Sequence, residues 1–343
     1  MSKSPSLEKV SPRIAADLLY NIITHDDGVE ATGGESCLIT GSMGSGKTTL
    51  EIQLAAATRH VEGSIDKHKA KKSGGPYQPE TVIWRGRKYD YWTVFLEDNW
   101  KKAFPGVPHK PLRILVDKRS DLKFFTHQYK RDYLDLEDYI RFYGSVDDAW
   151  RQLIPGGINV IYEPVEYMLP PHIVHNLLKA QLKDIFPLNE CPYKPASSFI
   201  WWFEFCGHMM ITKRRRDYIT LIMDEAHEVF HANRKGDHWH LIGAFSDQVI
   251  DFRRNNISFI PVTQEGSLLD WRIVNRMTHF IWLRGSRPIE RRSRVSRKLV
   301  GCLSGGQAII ERSMERFGLA KFGRIPNQPP VIQVEGLPEV PIC

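Results

Sequence analysis

Short apolar runs, bounded by polar or glycine-rich stretches, recur along the chain, with longer segments of helical spacing between them. Residues 37–40, 81–84, 112–116, 158–162, 218–223, 257–262 and 280–283 read as strands. Most are apolar at nearly every position rather than at alternate ones, which suits strands covered on both faces. Residues 49–57, 172–186, 236–252 and 267–277 read as helices, and 307–311 with 318–322 as a closing hairpin. This alternation predicts an α/β fold, a mainly parallel sheet with helices on both faces. Residues 121–150 mix charged and aromatic side chains and read as helical with loops. The Gly/Ser/Pro-rich stretch 63–79 opens an expected insertion spanning about 63–150. The domain is then expected over 33–325, after an N-terminal extension (1–32) and before a Pro-rich tail (326–343) that should be extended or mobile. There is no internal repeat. The longest apolar stretch, Phe199 to Ile211, contains Glu204 and His208 and is too short to span a bilayer.

Chemistry enters at the first strand-to-helix junction. Gly41, Ser42, Met43, Gly44, Ser45, Gly46, Lys47 and Thr48 form a complete G-x-x-x-x-G-K-[ST] phosphate loop between a strand and a helix. Glycines let backbone N–H groups converge on phosphates, and the helix N-terminus adds positive potential. Lys47 is expected on the β- and γ-phosphates and Thr48 on Mg²⁺. Thr49, in the first helical turn, completes the expected contact set for ATP. The bland alternative, a glycine-rich turn without a nucleotide, does not account for the flanking strand and helix.

A second strand, residues 218–223, ends in Asp224-Glu225. Asp224 would support Mg²⁺ and Glu225 would polarise the attacking water, the division of labour in nucleotide hydrolases. A strand ending in an acid is common, and only the phosphate loop makes this pair specific. A third strand, 257–262, ends in Thr263-Gln264, and the Gln264 amide would sense the γ-phosphate or the lytic water. Arg253 and Arg254 precede that strand, while Arg272 and Arg276 follow it. One of these would serve a neighbouring subunit as an arginine finger, although surface ion pairing is the plainer role for each. Overlapping the acid pair, His227-Glu228-Val229-Phe230-His231 matches H-E-x-x-H, the zinc-protease helix. No further metal-ligand pattern completes it, and it remains a remote alternative.

These motifs, in this order, resemble the FtsK–HerA superfamily of DNA-pumping ATPases, and within it the Zot-like and viral genome-packaging members. The resemblance is specific at Gly41–Thr48, at Leu221–Glu225 and from Arg253 to Gln264. It implies a RecA-like (ASCE) P-loop NTPase that binds ATP and Mg²⁺, with Lys47, Glu225, Gln264 and Arg253 as catalytic groups and Thr48 and Asp224 at the metal. It also implies a homo-oligomer, a hexameric ring, acting on double-stranded DNA with a capsid or membrane-complex partner. Two departures stand out. No transmembrane segment is evident, which favours a motor over a phage export protein, and the stretch between Thr48 and the Asp224 strand is long. A DEAH-type helicase would need a second RecA-like domain, for which little chain remains after Glu225. A nucleotide-gated DNA-binding assembly protein would not need base, metal ligand and sensor together.

Charge supports the nucleic-acid expectation. The chain has 47 Lys and Arg against 40 Asp and Glu, a net charge of +7. Between Arg284 and Lys298 stand Arg287, Arg291, Arg292, Arg294 and Arg297, opposed by the single acid Glu290. Such a run reads as a footprint for DNA phosphates, as does the shorter Lys213, Arg214, Arg215, Arg216. Lys67 to Lys72 reads as solvated surface. Five cysteines without C-x-x-C spacing suggest free thiols in a reducing compartment, and the chain is expected in the cytoplasm.

Overall fold

The structure, a computed structural model, describes residues 34–56, 80–126, 134–167, 197–213, 218–232, 237–312, 316–327 and 329–337. Several sequence readings lie outside these residues: the N-terminal extension, the 63–79 stretch with Lys67 to Lys72, the helix at 172–186, the break at 191–195, and Arg214 to Arg216. Cys191 and Cys343 lie outside them as well. Among the described cysteines, Cys37, Cys206 and Cys302 are free thiols.

Thirteen strands are described: β1 (Cys37–Thr40), β2 (Thr81–Arg85), β3 (Tyr89–Asp90), β4 (Leu112–Asp117), β5 (Lys123–Thr126), β6 (Ile140–Tyr143), β7 (Ile158–Tyr162), β8 (Ile219–Met223), β9 (Ile257–Thr263), β10 (His279–Leu283), β11 (Gln307–Arg312), β12 (Arg316–Lys321) and β13 (Ile332–Glu335). The α-helices are α1 (Lys47–Ala56), α2 (Glu97–Ala103), α3 (Val146–Arg151), α4 (Ser197–Thr212), α5 (Asp237–Arg254), α6 (Trp271–Val274) and α7 (Arg297–Gly301).

Ten strands form one sheet in the order β12-β11-β10-β1-β9-β8-β2-β7-β4-β6. Pairing is parallel from β10 through β6, and only the β10-β11-β12 hairpin edge is antiparallel. The expected α/β class, parallel sheet and terminal hairpin are therefore all present.

The strands read as continuous apolar runs because the sheet is covered on both faces. Successive side chains point to opposite faces, and each face has its own core. Leu38, Ile83, Leu115, Ile161, Leu221, Phe259 and Trp282 pack with the apolar side chains of α4 and α5. Ile39, Val82, Ile114, Val160, Ile222, Ile260 and Ile281 pack with those of α1 and α2. The apolar stretch at 199–211 is α4, whose Trp201 and Phe205 stack at 4.9 Å in the first core. No helix among the described residues is long and apolar enough to cross a membrane.

Three expectations require correction. Residues from 81 onward are not an insertion, because β2, β4 and β6 are strands of the main sheet. Where described, the segment 121–150 is chiefly β5, β6 and the short α3 rather than helical; edge strand β6 exposes Arg141 and Phe142, so its alternation is weak. The expected helix at 267–277 is a 3-10 turn, Gly266–Leu268, followed by the one-turn α6.

The described part of the Pro-rich tail is likewise not loose. Its strand β13 is the centre of a separate three-stranded antiparallel sheet, between β3 and β5. Ile332 and Val334 are fully buried there, in the same core as α1. Ile332→Ala should therefore lower unfolding free energy by about 2–4 kcal/mol in urea titration, as for other core truncations. A loose tail would give a change within about 0.5 kcal/mol.

Candidate active site at the carboxyl ends of the parallel strands

The phosphate loop leaves β1 at the carboxyl edge of the sheet and enters α1. Gly44 and Gly46 adopt φ of 71° and 98°, a region that side-chain-bearing residues rarely occupy. The loop is drawn tight: a Cβ on Gly41 would come within 2.3 Å of Ser45 Oγ. Lys47 folds back over it, donating to the carbonyls of Gly41 (2.8 Å) and Ser42 (3.3 Å). Ser45 Oγ is buried without a hydrogen-bond partner. A ring of backbone donors at a helix start, an ammonium tethered only to loop carbonyls and an orphaned buried hydroxyl fit a bound polyphosphate.

The sheet order decides what faces the loop. β9 lies between β1 and β8, with Thr40 in register with Thr263 and Met223 with Pro261. Asp224 and Glu225 thus leave β8 one strand removed from the phosphate loop, with Gln264 leaving the strand between them. The fold is α/β, a mainly parallel sheet with a phosphate loop at its carboxyl edge, the arrangement of P-loop NTPases. Gln264 Nε2 donates to Glu225 Oε1 at 3.2 Å, so the expected sensor and base are in contact. Glu225 is held in the left-handed region (φ 44°, ψ 47°), rare for a side-chain-bearing residue and characteristic of strained functional positions. Its N–H donates to Asp224 Oδ1 at 2.8 Å.

Residues not anticipated from the motifs complete this corner. Arg85 ends β2, the strand beyond β8, and Arg87 follows it by two positions. Arg85 donates to Glu163 Oε1 (2.6 Å from Nη2) and to Glu228 Oε2 (2.9 Å). Arg87 donates to Asp224 Oδ2 (3.0 Å) and Glu228 Oε1 (3.0 Å), and its Nη1 lies 3.7 Å from Glu225 Oε1. Glu163, just past β7, also accepts from Ser198 Oγ and Trp202 Nε1. Burial alone would raise the Glu228 carboxyl, but Arg85 and Arg87 outweigh it and hold the group below the usual range. The only sequence signal for this network was a charged residue directly after each apolar run, Arg85 after 81–84 and Glu163 after 158–162.

The H-E-x-x-H reading does not survive this geometry. Ala226–Glu228 is a single 3-10 turn, not an α-helix presenting two histidines on one face. Glu228 is committed to two arginines. His227 Nδ1 lies 3.1 Å from Thr263 Oγ1 and 3.3 Å from Glu225 Oε2, the latter without hydrogen-bond alignment. Burial lowers the His227 pKa despite the pull of Glu225 and Glu228. No group of three metal-ligating side chains is assembled among the described residues.

Arg253 is not brought to the site. It lies before the amino end of β9, the opposite end from Gln264, with Nη2 3.8 Å from Glu35 Oε1. Seven strand residues separate the two ends, a span of roughly 20 Å at about 3.3 Å per residue. Arg254 pairs with Asp251, Arg272 with Asp270 and Arg276 with Asp247.

The basic segment does reach the phosphate loop, through backbone. Ser42 N and Oγ both donate to the Arg284 carbonyl (3.1 and 3.0 Å), and Ser286 Oγ donates to the Thr40 carbonyl at 2.6 Å. Gly285, at φ 77°, allows this approach, since a Cβ there would meet Ser42 Oγ at 2.4 Å. Beyond it, Arg287, Arg291, Arg294, Arg297 and Lys298 are exposed. The segment is pinned from below by the buried Glu311, which accepts from Trp282 Nε1 (2.8 Å), Ser293 Oγ and the Arg294 N–H (2.6 Å).

No protein-family model matches the chain, and no curated protein matches it. Among solved structures, it is similar to the genome packaging NTPase of Sulfolobus turreted icosahedral virus 2 in complex with AMPPCP, at 11% identity and TM-score 0.41, over 84% of this chain and 97% of that one. It is similar to the N-terminal domain of zonular occludens toxin from Neisseria meningitidis, at 12% identity and TM-score 0.27, over 85% and 95%. It is also similar to the EssC ATPases 2 and 3 of Geobacillus thermodenitrificans, at 11% identity and TM-score 0.33, over 86% and 40%. These likenesses are loose, and the fold assignment rests on the strand order and the phosphate loop.

One buried acid gives the region a pH signature. Asp90 accepts from the N–H groups of Tyr91 (2.8 Å) and Arg87 (3.1 Å), yet burial pushes its pKa up to about 7. A folded-state pKa above the unfolded value of 3.8 means the folded chain binds more protons in that window. The Asp90 contribution to stability is full below pH 4 and lost as pH rises to about 7. Asp90→Asn should remove this slope, so the melting-temperature difference, variant minus wild type, should climb between those pH values. A constant difference would contradict the assignment.

Proposed function

We propose that this chain is an ATPase that couples hydrolysis to movement of double-stranded DNA, as in viral genome packaging or DNA transfer. The observation that carries the ATPase reading is the convergence of the phosphate loop, Asp224-Glu225 and Gln264 at adjacent strand ends. Lys47 and the first-turn N–H groups of α1, with Gly41 to Thr49 around them, would hold the phosphates. Thr48 and Asp224 would hold Mg²⁺, which would neutralise charge on the phosphate oxygens. Glu225 would accept the proton of the attacking water, oriented by the Gln264 amide and by Arg87 nearby. Thr263 and the neutral His227 flank that carboxylate.

DNA as the cargo rests on the motif resemblance and on charge. The exposed arginines between Arg284 and Lys298 present a face suited to phosphate backbones, whose contacts carry little sequence information. Because Arg284 is bonded to Ser42 through its carbonyl, rearrangement of the phosphate loop would be felt directly at the base of that segment. Lys213 would extend the basic surface. A ring of copies, hexameric by the same resemblance, would supply an arginine from the neighbouring subunit; Arg253 would have to act in that way because its own site is out of reach. A capsid or membrane complex would anchor the ring, and the phage-export role of Zot-like proteins is the variant of this reading with a different cargo path.

ATP hydrolysis by the purified chain, with and without double-stranded DNA, tests the reading. Glu225→Gln should cut turnover by about 10²-fold or more while retaining nucleotide binding. Lys47→Ala should lose nucleotide binding, and Arg291→Glu with Arg294→Glu should lose stimulation by DNA. Nucleotide binding without turnover at any DNA concentration would instead indicate a nucleotide-gated assembly protein.

A further inference from the structure

The basic segment leaves the phosphate loop at Arg284 and then meets a second element of the site. Arg287 Nη1 lies 3.6 Å from Glu265 Oε1, and Glu265 directly follows Gln264. An ion pair so exposed contributes little by itself. Ile289 supplies a firmer seat. It is half-buried and packs against the first core, and a Cβ on Gly266 would come within 2.9 Å of its Cδ1. Gly266 is buried and opens the 3-10 turn that follows Gln264 and Glu265. The missing side chain at this position is what lets the isoleucine sit against the turn.

The stretch 284–289 is therefore a strap with contacts at both elements read as facing the γ-phosphate. Its root is fixed to the phosphate loop by the Ser42 bonds to the Arg284 carbonyl (3.1 and 3.0 Å) and by Ser286 Oγ on the Thr40 carbonyl (2.6 Å). Its other end rests on the turn behind the sensor, and Gln264 reaches Glu225 at 3.2 Å. The exposed arginines continue from that end. The Arg292 N–H donates to the Ile289 carbonyl at 2.7 Å, closing a turn that carries exposed Arg291. Close-packed interiors transmit strain, so a shift of the strap bears on the turn beneath Ile289.

We propose that Ile289 is a positioning residue that seats the strap on the sensor turn and so couples a polyanion bound at Arg287, Arg291 and Arg294 to the nucleotide beside Gln264. The inference rests on the ATPase and DNA readings above. It adds a second link, at the sensor, to the one at Ser42, and its carrier is an uncharged side chain. Such coupling is reciprocal: nucleotide changes DNA affinity by the same factor as DNA changes nucleotide affinity.

The test is fluorescence anisotropy of a labelled DNA duplex titrated with the full chain at fixed salt, with and without a non-hydrolysable ATP analogue and Mg²⁺. The ratio of the two dissociation constants is the coupling factor, and wild type should give about fivefold or more. Ile289→Ala should cut that factor by about threefold or more, while the duplex alone and the analogue alone bind as they do to wild type. Ile289→Val, which deletes only the Cδ1 methyl facing Gly266, should cut it less. Gly266→Ala combined with Ile289→Val returns a methyl to that contact and should restore the factor. Should Ile289→Ala fail to fold, the valine variant and its rescue carry the test. A residue that merely fills the core would lower the melting temperature and leave the factor at its wild-type value. That result, or a valine variant that Gly266→Ala does not rescue, would overturn the inference. A wild-type duplex affinity indifferent to the analogue would overturn it too, leaving the ATPase reading intact. A wild-type chain that binds no duplex would overturn the DNA reading with it.

Discussion

Carboxylates gathered at the ends of β7 and β8 must be neutralised without being extinguished. Glu163, Asp224, Glu225 and Glu228 crowd one buried corner, and two arginines two residues apart, Arg85 and Arg87, hold three of them in direct hydrogen bonds. Ionised groups in such a corner are tolerated only when paired with good geometry, and removing one partner of a buried pair typically costs about 3–5 kcal/mol. The parallel sheet is what makes the pairing possible. Because β2 lies between β8 and β7, one strand end delivers cations to acids on both sides. The same topology places β9 between loop and acids, so the base is set back from the phosphates by one strand width, with Gln264 in the gap.

What the sequence made legible was whatever is contiguous or fully covered. The phosphate loop is eight consecutive residues whose conformation is dictated locally by Gly44, Gly46 and the start of α1. The central strands are buried on both faces and stand out as unbroken apolar runs. The Arg85–Glu163 and Arg87–Asp224 pairs join positions 78 and 137 residues apart, and no spacing rule reports such a meeting. Edge strand β6, Ile140–Tyr143, exposes Arg141 and Phe142 and so lost its apolar signature. The tail misled for a related reason: prolines mark a chain that cannot join a sheet interior, but Ile332–Glu335 is a proline-free stretch between Pro330 and Pro338. The H-E-x-x-H match shows the converse error, a correct local spacing on a backbone that turns the wrong way after Glu228.

The basic segment and the phosphate loop share their backbone bonds at Ser42 and Arg284, and the segment's far part hangs from the buried Glu311 on β11. It is therefore held at two ends by different elements, one at the nucleotide side of the sheet and one on the antiparallel hairpin. Cationic side chains so mounted stand on a fixed base and change their bearing chiefly when Ser42 does. That arrangement separates the exposed basic surface from the phosphate loop, while leaving one short hydrogen-bonded path between them.

Placement of β13 carries a consequence for how the molecule is made. Strands β3 and β5 precede β13 in the chain and have no mutual pairing; within their sheet each pairs only with β13. The phosphate-loop strand likewise waits for β9 and β10 on either side. During synthesis, the nascent chain would carry a nucleotide motif without a sheet to brace it, and edges seeking partners. Completion of the small sheet is thereby deferred until β13 has been made, whereas the β8-β2-β7-β4-β6 half of the large sheet needs no later strand to pair within itself.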